Sequence, residues 1–191
     1  MPKIGILCLQ GAFIEHIEKL RSLDAETVEI RKTEDFSESI DGIIIPGGES
    51  TVIGKLLHEL NLAPLLTRRI KEGLPVYGTC AGLILLAKEV ENEHRPTLST
   101  MDITVRRNAY GRQLGSFHSN GNFGCLTDVP MTFIRAPYIN KTGNNVEILS
   151  VLDGKIVAAR QQNQLVTAFH PELCDDLRIH SYFLDIVRGK V

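Results

Sequence analysis

The sequence has no tryptophan, and its four cysteines, Cys8, Cys80, Cys125 and Cys174, form no C-x-x-C pair. That scatter leaves no cysteine-based metal spacing, and no bound metal is expected. Neither sign of charge dominates: 21 Lys+Arg stand against 23 Asp+Glu, a net of −2, which argues against nucleic acid as the main partner. No apolar run approaches the ~18 residues of a membrane helix. The longest N-terminal run, Ile4–Leu9, follows a single Lys3 and is too short for a signal-peptide core. Secretion and membrane insertion are therefore not expected, and reduced thiols in the cytoplasm are. Phosphate loops are missing too. No G-x-x-x-x-G-K-[ST] occurs, Gly54-Lys55 lies inside a helical pattern, and no G-x-G-x-x-G follows the first strand.

What is present is a chain of 191 residues, expected to form one domain over 1–191. In the first half, strand-like runs at Ile4–Leu9, Thr27–Ile30, Gly42–Ile45 and Leu74–Tyr77 alternate with helical patterns. The helices are expected at Phe13–Leu23, after a cap at Ser50 or Thr51, and at Ala81–Val90. Continuous apolar strands alternating with helices predict a parallel sheet covered on both faces. The second half reads as strands at Ile103–Arg107, Thr132–Arg135, Val146–Val151, Ile156–Arg160 and Leu165–Phe169. Asp153-Gly154 marks a hairpin turn, and a closing helix runs over Asp175–Val187 with both aspartates in its first turn. The expected fold is α/β: a three-layer, open, mixed sheet of flavodoxin-like winding that gains antiparallel strands toward the C-terminus.

Three segments carry the chemistry. Gly78-Thr79-Cys80-Ala81-Gly82 follows a strand and opens a helix, the setting of a G-x-S-x-G nucleophile elbow with Cys in place of Ser. Glycines flank the nucleophile because so sharp a turn leaves no room for Cβ atoms, and a thiol at a helix N-terminus is favoured as thiolate. A lone cysteine is equally a small buried hydrophobe, so the pentapeptide does not decide alone. His170-Pro171-Glu172 follows a strand, and residues two apart in extended chain point the same way. His170 can then be a base and Glu172 its orienting carboxylate. By itself the same tripeptide is also a strand end with a surface charge. Pro46-Gly47-Gly48-Glu49-Ser50 ends a predicted central strand, where ligands of open α/β sheets bind. The Ala81 and Gly48 N–H groups are candidates for an oxyanion hole. Solvated positions suffice for His16, His58, His94, His118 and His180, with His118 the reserve base.

These segments, in this order, resemble the class I, triad-type glutamine amidotransferases. Within them the chain is most similar to the glutaminase subunits of pyridoxal 5′-phosphate synthases. Leu9–Ala12 with Glu15-His16, Pro46–Thr51, Gly78–Leu83, Arg107–Gln113, Phe133–Pro137 and Phe169–Leu173 carry the resemblance, and Arg107–Gln113 alone points to this branch. The resemblance implies the class I amidotransferase architecture, with Cys80 as nucleophile, His170 as general acid and base, and Glu172 as orienting carboxylate. It places L-glutamine against Gly47, Gly48, Glu49, Arg107, Ile134 and Arg135, with Gln10 near the oxyanion loop. Arg107 or Arg135 suits the substrate carboxylate, and Glu49 its ammonium. The implied partner is a synthase subunit, in a dodecamer decorated by glutaminase subunits. It receives the ammonia through a tunnel and completes the oxyanion hole near Gly47-Gly48. Pyridoxal 5′-phosphate is then the product of the complex, and no cofactor is expected on this chain. Cys8 reads as core, and Cys174 as a thiol near the site. Two other readings stay open: a glutaminase serving another acceptor, and a non-catalytic α/β module in which Cys80 senses oxidants.

Overall fold

A computed structural model of the chain describes residues 1–36, 39–93, 97–107 and 115–191. Four short strands open the central sheet: β1 (Lys3–Leu7), β2 (Glu26–Ile30), β3 (Gly42–Ile45) and β4 (Val76–Thr79). β3 and β4 are buried along their whole length, as expected for strands with helices on both faces. β12 (Gln164–Thr167) joins them from the other end of the chain and pairs parallel with β4. The parallel block runs β2-β1-β3-β4-β12. This is the flavodoxin-type order 2-1-3-4-5, whose direction of winding reverses between β1 and β3. Right-handed crossovers therefore put α1 (Phe13–Arg21) on one face of the sheet, and α2 (Ser50–Glu59) and α3 (Leu62–Lys71) on the other. The last helix, α5 (Arg178–Val187), lies on the α1 side, where a side-chain hydrogen bond joins the two helices.

The antiparallel extension runs outward from β12. β11 (Lys155–Gln161) pairs antiparallel with it, followed by β9 (Tyr138–Thr142) and β6 (Met101–Arg106). β10 (Glu147–Leu152) pairs with β11 across the Asp153-Gly154 turn, where both residues have positive φ, the geometry of a tight hairpin. β7 (Ser116–Phe123) and β8 (Leu126–Ile134) form a separate hairpin on which Phe117 stacks against Phe133 with ring centroids 4.6 Å apart.

Several expectations are corrected. The helix expected over Ala81–Val90 is α4 (Ala81–Leu86) followed by a strand, β5 (Ala87–Val90), which pairs parallel with β6. The 97–100 segment takes the carbonyls that a longer helix would have used. Leu98 N–H donates to Leu85 O, Thr100 N–H to Leu86 O, and Thr97 Oγ1 to Ala87 O. The strand expected at Leu74–Tyr77 starts two residues later and carries Gly78 and Thr79. α2 is capped by neither Ser50 nor Thr51. Glu49 is its N-cap, and its carboxylate accepts the Thr51 N–H at 3.4 Å and the Thr51 hydroxyl at 2.9 Å. The closing helix begins at Arg178, after a 3₁₀ turn at Pro171–Leu173. Asp176 precedes it and accepts the Arg178 backbone N–H. α3, β7 and β9 match no element expected from the sequence. Of the Arg107–Gln113 stretch only Arg107 lies within the described residues, and His94 lies outside them.

Candidate active site

Four loops leave the C-terminal ends of the adjacent parallel strands β1, β3, β4 and β12, and they bring together residues far apart in sequence. Cys80 sits directly after β4 with φ 47° and ψ −92°, a conformation strained for an L residue. Its N–H donates to Thr167 O at 2.8 Å, pinning the elbow to β12. Glycine is needed on both sides. A Cβ at Gly82 would overlap the Ile45 carbonyl, and one at Gly78 would come within 2.7 Å of the Gly82 carbonyl carbon.

His170 and Glu172 meet by a turn rather than along an extended strand. The 3₁₀ turn at Pro171–Leu173 swings the carboxylate back, so that Glu172 Oε1 lies 2.7 Å from His170 Nδ1. Both side chains are buried, and the His170 N–H is tied to Thr132 O at 2.8 Å. Burial works to strip the proton from His170. Hydrogen bonds to Cys80 and Glu172, and their charges, outweigh it and raise the imidazole to about 10. Burial likewise opposes ionisation of Glu172, but the facing His16 and His170 hold it below the ordinary carboxylate range. His118 reaches Thr132 Oγ1 on the β7–β8 hairpin at 3.0 Å, whereas His170 is hydrogen-bonded to Glu172 Oε1.

The loop after β3 closes over this pair. A Cβ on Gly47 would press into the His170 ring, so the glycine lets the backbone lie against the imidazole. The Gly47 carbonyl accepts the Ala12 N–H at 3.0 Å, and the loop is backed by Gly11, whose φ is 103°. Gln10 Oε1 accepts the Glu49 N–H at 2.7 Å, and Gly48 packs beside the same carboxamide. Ala81 opens α4, so its N–H has no acceptor within the helix. Cys80 Sγ lies 4.0 Å from the Ile134 carbonyl at the end of β8. Arg107 stands between two carboxylates. Its Nη1 is 2.8 Å from Glu93 Oε1 and its Nη2 is 3.4 Å from Glu49 Oε1. Glu49 is held below the ordinary carboxylate range chiefly by the Thr51 hydroxyl, with Arg107 and Arg135 adding to it. Arg135 is exposed, with a φ of 43° at the mouth of the hairpin.

Two histidines assigned to solvated positions are in fact fully buried: His16 and His180. His16 stands on α1 directly behind Glu172, with its Nε2 3.5 Å from Oε2. The signal for both was helical spacing. His16 shares the buried stripe of Ile17 and Leu20, and His180 that of Phe183 and Leu184. Of the other cysteines, Cys8 is core, and burial pushes its thiol up to about 11. Cys174 lies 3.3 Å from Thr132 Oγ1, against the hairpin.

A mixed sheet with a strained cysteine elbow and a His–Glu pair on adjacent loops defines the class I glutamine amidotransferase fold. One solved structure titled as a crystal structure of glutamine amidotransferase superposes at a TM-score of 0.93, with 43% identity over 97% of this chain and 98% of that one. The fold alone is shared with a glutamine amidotransferase from Thermotoga maritima, at a TM-score of 0.64 and 14% identity over 100% of this chain and 86% of that one. The model of the SNO glutamine amidotransferase family matches residues 6–188, and the chain belongs to that family. It is 56% identical over 187 residues to a protein of Methanocorpusculum labreanum, covering 98% of each chain. It is 52% identical over 191 residues to one of Streptococcus pneumoniae, again covering 98% of each. Both relatives are named pyridoxal 5′-phosphate synthase subunit PdxT.

Proposed function

We propose that the chain hydrolyses L-glutamine to L-glutamate and ammonia, as the glutaminase subunit of a pyridoxal 5′-phosphate synthase. The observation that carries this reading is the 2.7 Å His170–Glu172 contact beside a cysteine held at a strained elbow. Membership of the SNO family and the near full-length PdxT relatives support it. Cys80 Sγ attacks the side-chain carbonyl carbon of glutamine, and the resulting oxyanion takes hydrogen bonds from Ala81 N–H and Gly48 N–H. As the C–N bond breaks, the protonated His170, aligned by Glu172, passes its proton to the departing ammonia. A glutamyl thioester stays on Cys80. The now neutral His170 takes a proton from water, whose oxygen attacks the thioester carbon, and glutamate leaves.

Gly47, Gly48, Glu49, Ile134 and one of the two arginines cradle the substrate in this reading. Arg107 meets the substrate carboxylate by exchanging Glu49 for it while keeping Glu93. Gln10 supports the oxyanion loop through its bond to the Glu49 N–H. Ammonia released into water would be protonated and lost. A partner that takes up the ammonia directly follows from this, and the resemblance to the pyridoxal 5′-phosphate synthase glutaminases implies a dodecameric synthase that carries the glutaminase subunits and receives the ammonia through a tunnel. The whole chain acts as one glutaminase domain, in the cytoplasm, without a metal or cofactor of its own. Among the described residues no helix is long and apolar enough to cross a membrane. The test is glutamate release from glutamine with and without the cognate synthase subunit, for wild type and Cys80→Ala. Release that rises with the partner and is abolished in the variant is expected. Release that survives Cys80→Ala would overturn the reading.

A further inference from the structure

Among the described residues, the buried polar atoms without a hydrogen-bond partner include Glu172 Oε2 and His180 Nδ1. They lie at opposite ends of one line of groups. His180 Nε2 is 2.9 Å from His16 Nδ1, and His16 Nε2 is 3.2 Å from Thr79 Oγ1 and 3.5 Å from Glu172 Oε2. Tyr77 packs edge-on against both imidazoles. None of these groups touches the reacting atoms, yet His16 Nε2 faces, at 3.5 Å, the carboxylate oxygen that His170 leaves unpaired.

The two orphans select one arrangement of protons. If His16 carried its proton on Nδ1, a lone pair of Nε2 would face the carboxylate. His180 would then accept at Nε2 and bury an unpaired N–H at Nδ1, the costlier kind of orphan. With the proton on His16 Nε2, an N–H dipole faces both Thr79 Oγ1 and Glu172 Oε2. His180 Nε2–H donates to His16 Nδ1, and the atom left over is a bare acceptor. Burial favours both rings neutral, and the facing charged groups do not reverse this. His16 meets Glu172 and His170 from the Pro171–Leu173 turn and Glu15 from its own helix, and His180 meets Lys19.

We infer that His16 is a positioning residue for the hydrolysis: its Nε2–H, fixed in direction by His180, holds the far oxygen of Glu172 so that the near one stays aligned with His170. This rests on the reading of Glu172 as the orienting carboxylate. The first test is nitrogen-15 NMR of the imidazoles in the full-length wild-type chain. Both His16 and His180 are expected as neutral Nε2–H tautomers at pH 7, and an Nδ1–H tautomer at His16 would overturn the inference. The second is glutamine hydrolysis with the synthase subunit present. His16→Met removes the donor, whereas His16→Gln keeps an N–H near the Nε2 position. The Met variant should lose about tenfold or more in kcat with little change in KM, and the acid limb of its kcat profile should move to higher pH. The Gln variant should recover most of the loss. A Met variant with wild-type kcat and pH profile, or a Gln variant as poor as Met, would also overturn the inference. Should His16→Met fail to fold, the tautomer measurement decides. Glu172→Gln in the same assay separates the two levels. Full activity there would bring down the triad reading itself, while its loss beside an unaffected His16→Met would remove only the role of His16.

Discussion

Gly47 is where a single methyl group should report on the alignment of the histidine. Its φ lies outside the left-handed region, so alanine costs no backbone strain, and Gly47→Ala tests space alone. The added Cβ would stand 2.9 Å from His170 Nδ1 and nearer still to Cε1, where ordinary contact begins at 3.4 Å. The loop cannot retreat easily, because its carbonyl is bonded to Ala12 N–H and it is backed by Gly11. The imidazole must therefore shift, by on the order of 1 Å, against its 2.7 Å bond to Glu172. A misplacement of that size costs about 10²-fold in rate. Gly47→Ala should thus lower kcat/KM for glutamine by about 10²-fold in the presence of the synthase subunit, while the melting temperature moves little. Gly115→Ala is the control. Among the described residues no heavy atom lies within 4 Å of a Cβ built there, and it should change neither quantity. A Gly47→Ala variant within about threefold of wild type would refute the argument, as would a loss of activity matched by a collapse of the melting temperature.

Stability should pass through a maximum near pH 6.5. The folded pKa of His170 is raised to about 10, so its contribution is complete below 6.5 and is lost as pH rises toward 10, at up to about 1.4 kcal/mol per unit. His16 and His180 are depressed by burial. Below pH 6.5 the unfolded chain takes up two protons that the folded chain refuses, and stability falls by up to about 2.7 kcal/mol per unit. Denaturant midpoints from pH 5 to 9 check this, and a flat profile would contradict it. Arg107→Gln should raise KM for glutamine about tenfold or more with kcat nearly unchanged, because its fork would bind substrate equally in ground and transition states. Initial rates against glutamine concentration decide, and an unchanged KM would shift the carboxylate role to Arg135.

What could be read from the sequence is what short stretches determine for themselves. The apolar runs at Ile4–Leu9 and Gly42–Ile45 have no polar face to leave in water, so a strand covered on both sides is the only economical reading. The glycines of 78–82 announce the elbow because local crowding demands them. Ala81–Val90 differs from its sequence pattern for the complementary reason. The Ala81–Leu86 helix is buried all round, so periodicity cannot say where it ends, and pairing with β6 fixes the boundary. β7 carries no strand signal because its sequence, SFHSNGNF, is polar and poor in β-branched residues. Its partner β8 and the Phe117–Phe133 stack make it a strand.

The site divides along the same line. Cys80, His170, Glu172 and the Gly47-Gly48 turn each lie in a loop whose own residues shape it, and adjacent parallel strands bring those loops together. The wall behind Glu172 has no local signature. His16 and His180 are 164 residues apart and meet only because α1 and α5 share a face of the sheet, so their burial follows from packing alone. Each stands on an apolar stripe where a leucine would pack without leaving a buried nitrogen unpaired, as His180 Nδ1 is. A leucine at position 16 would remove the imidazole that faces Glu172 Oε2 at 3.5 Å and leave a buried carboxylate facing hydrocarbon on that side. The polar pair therefore tends to destabilise the fold at low pH while favouring the ionised state of the carboxylate that orients His170, which is the balance expected where burial serves chemistry more than stability.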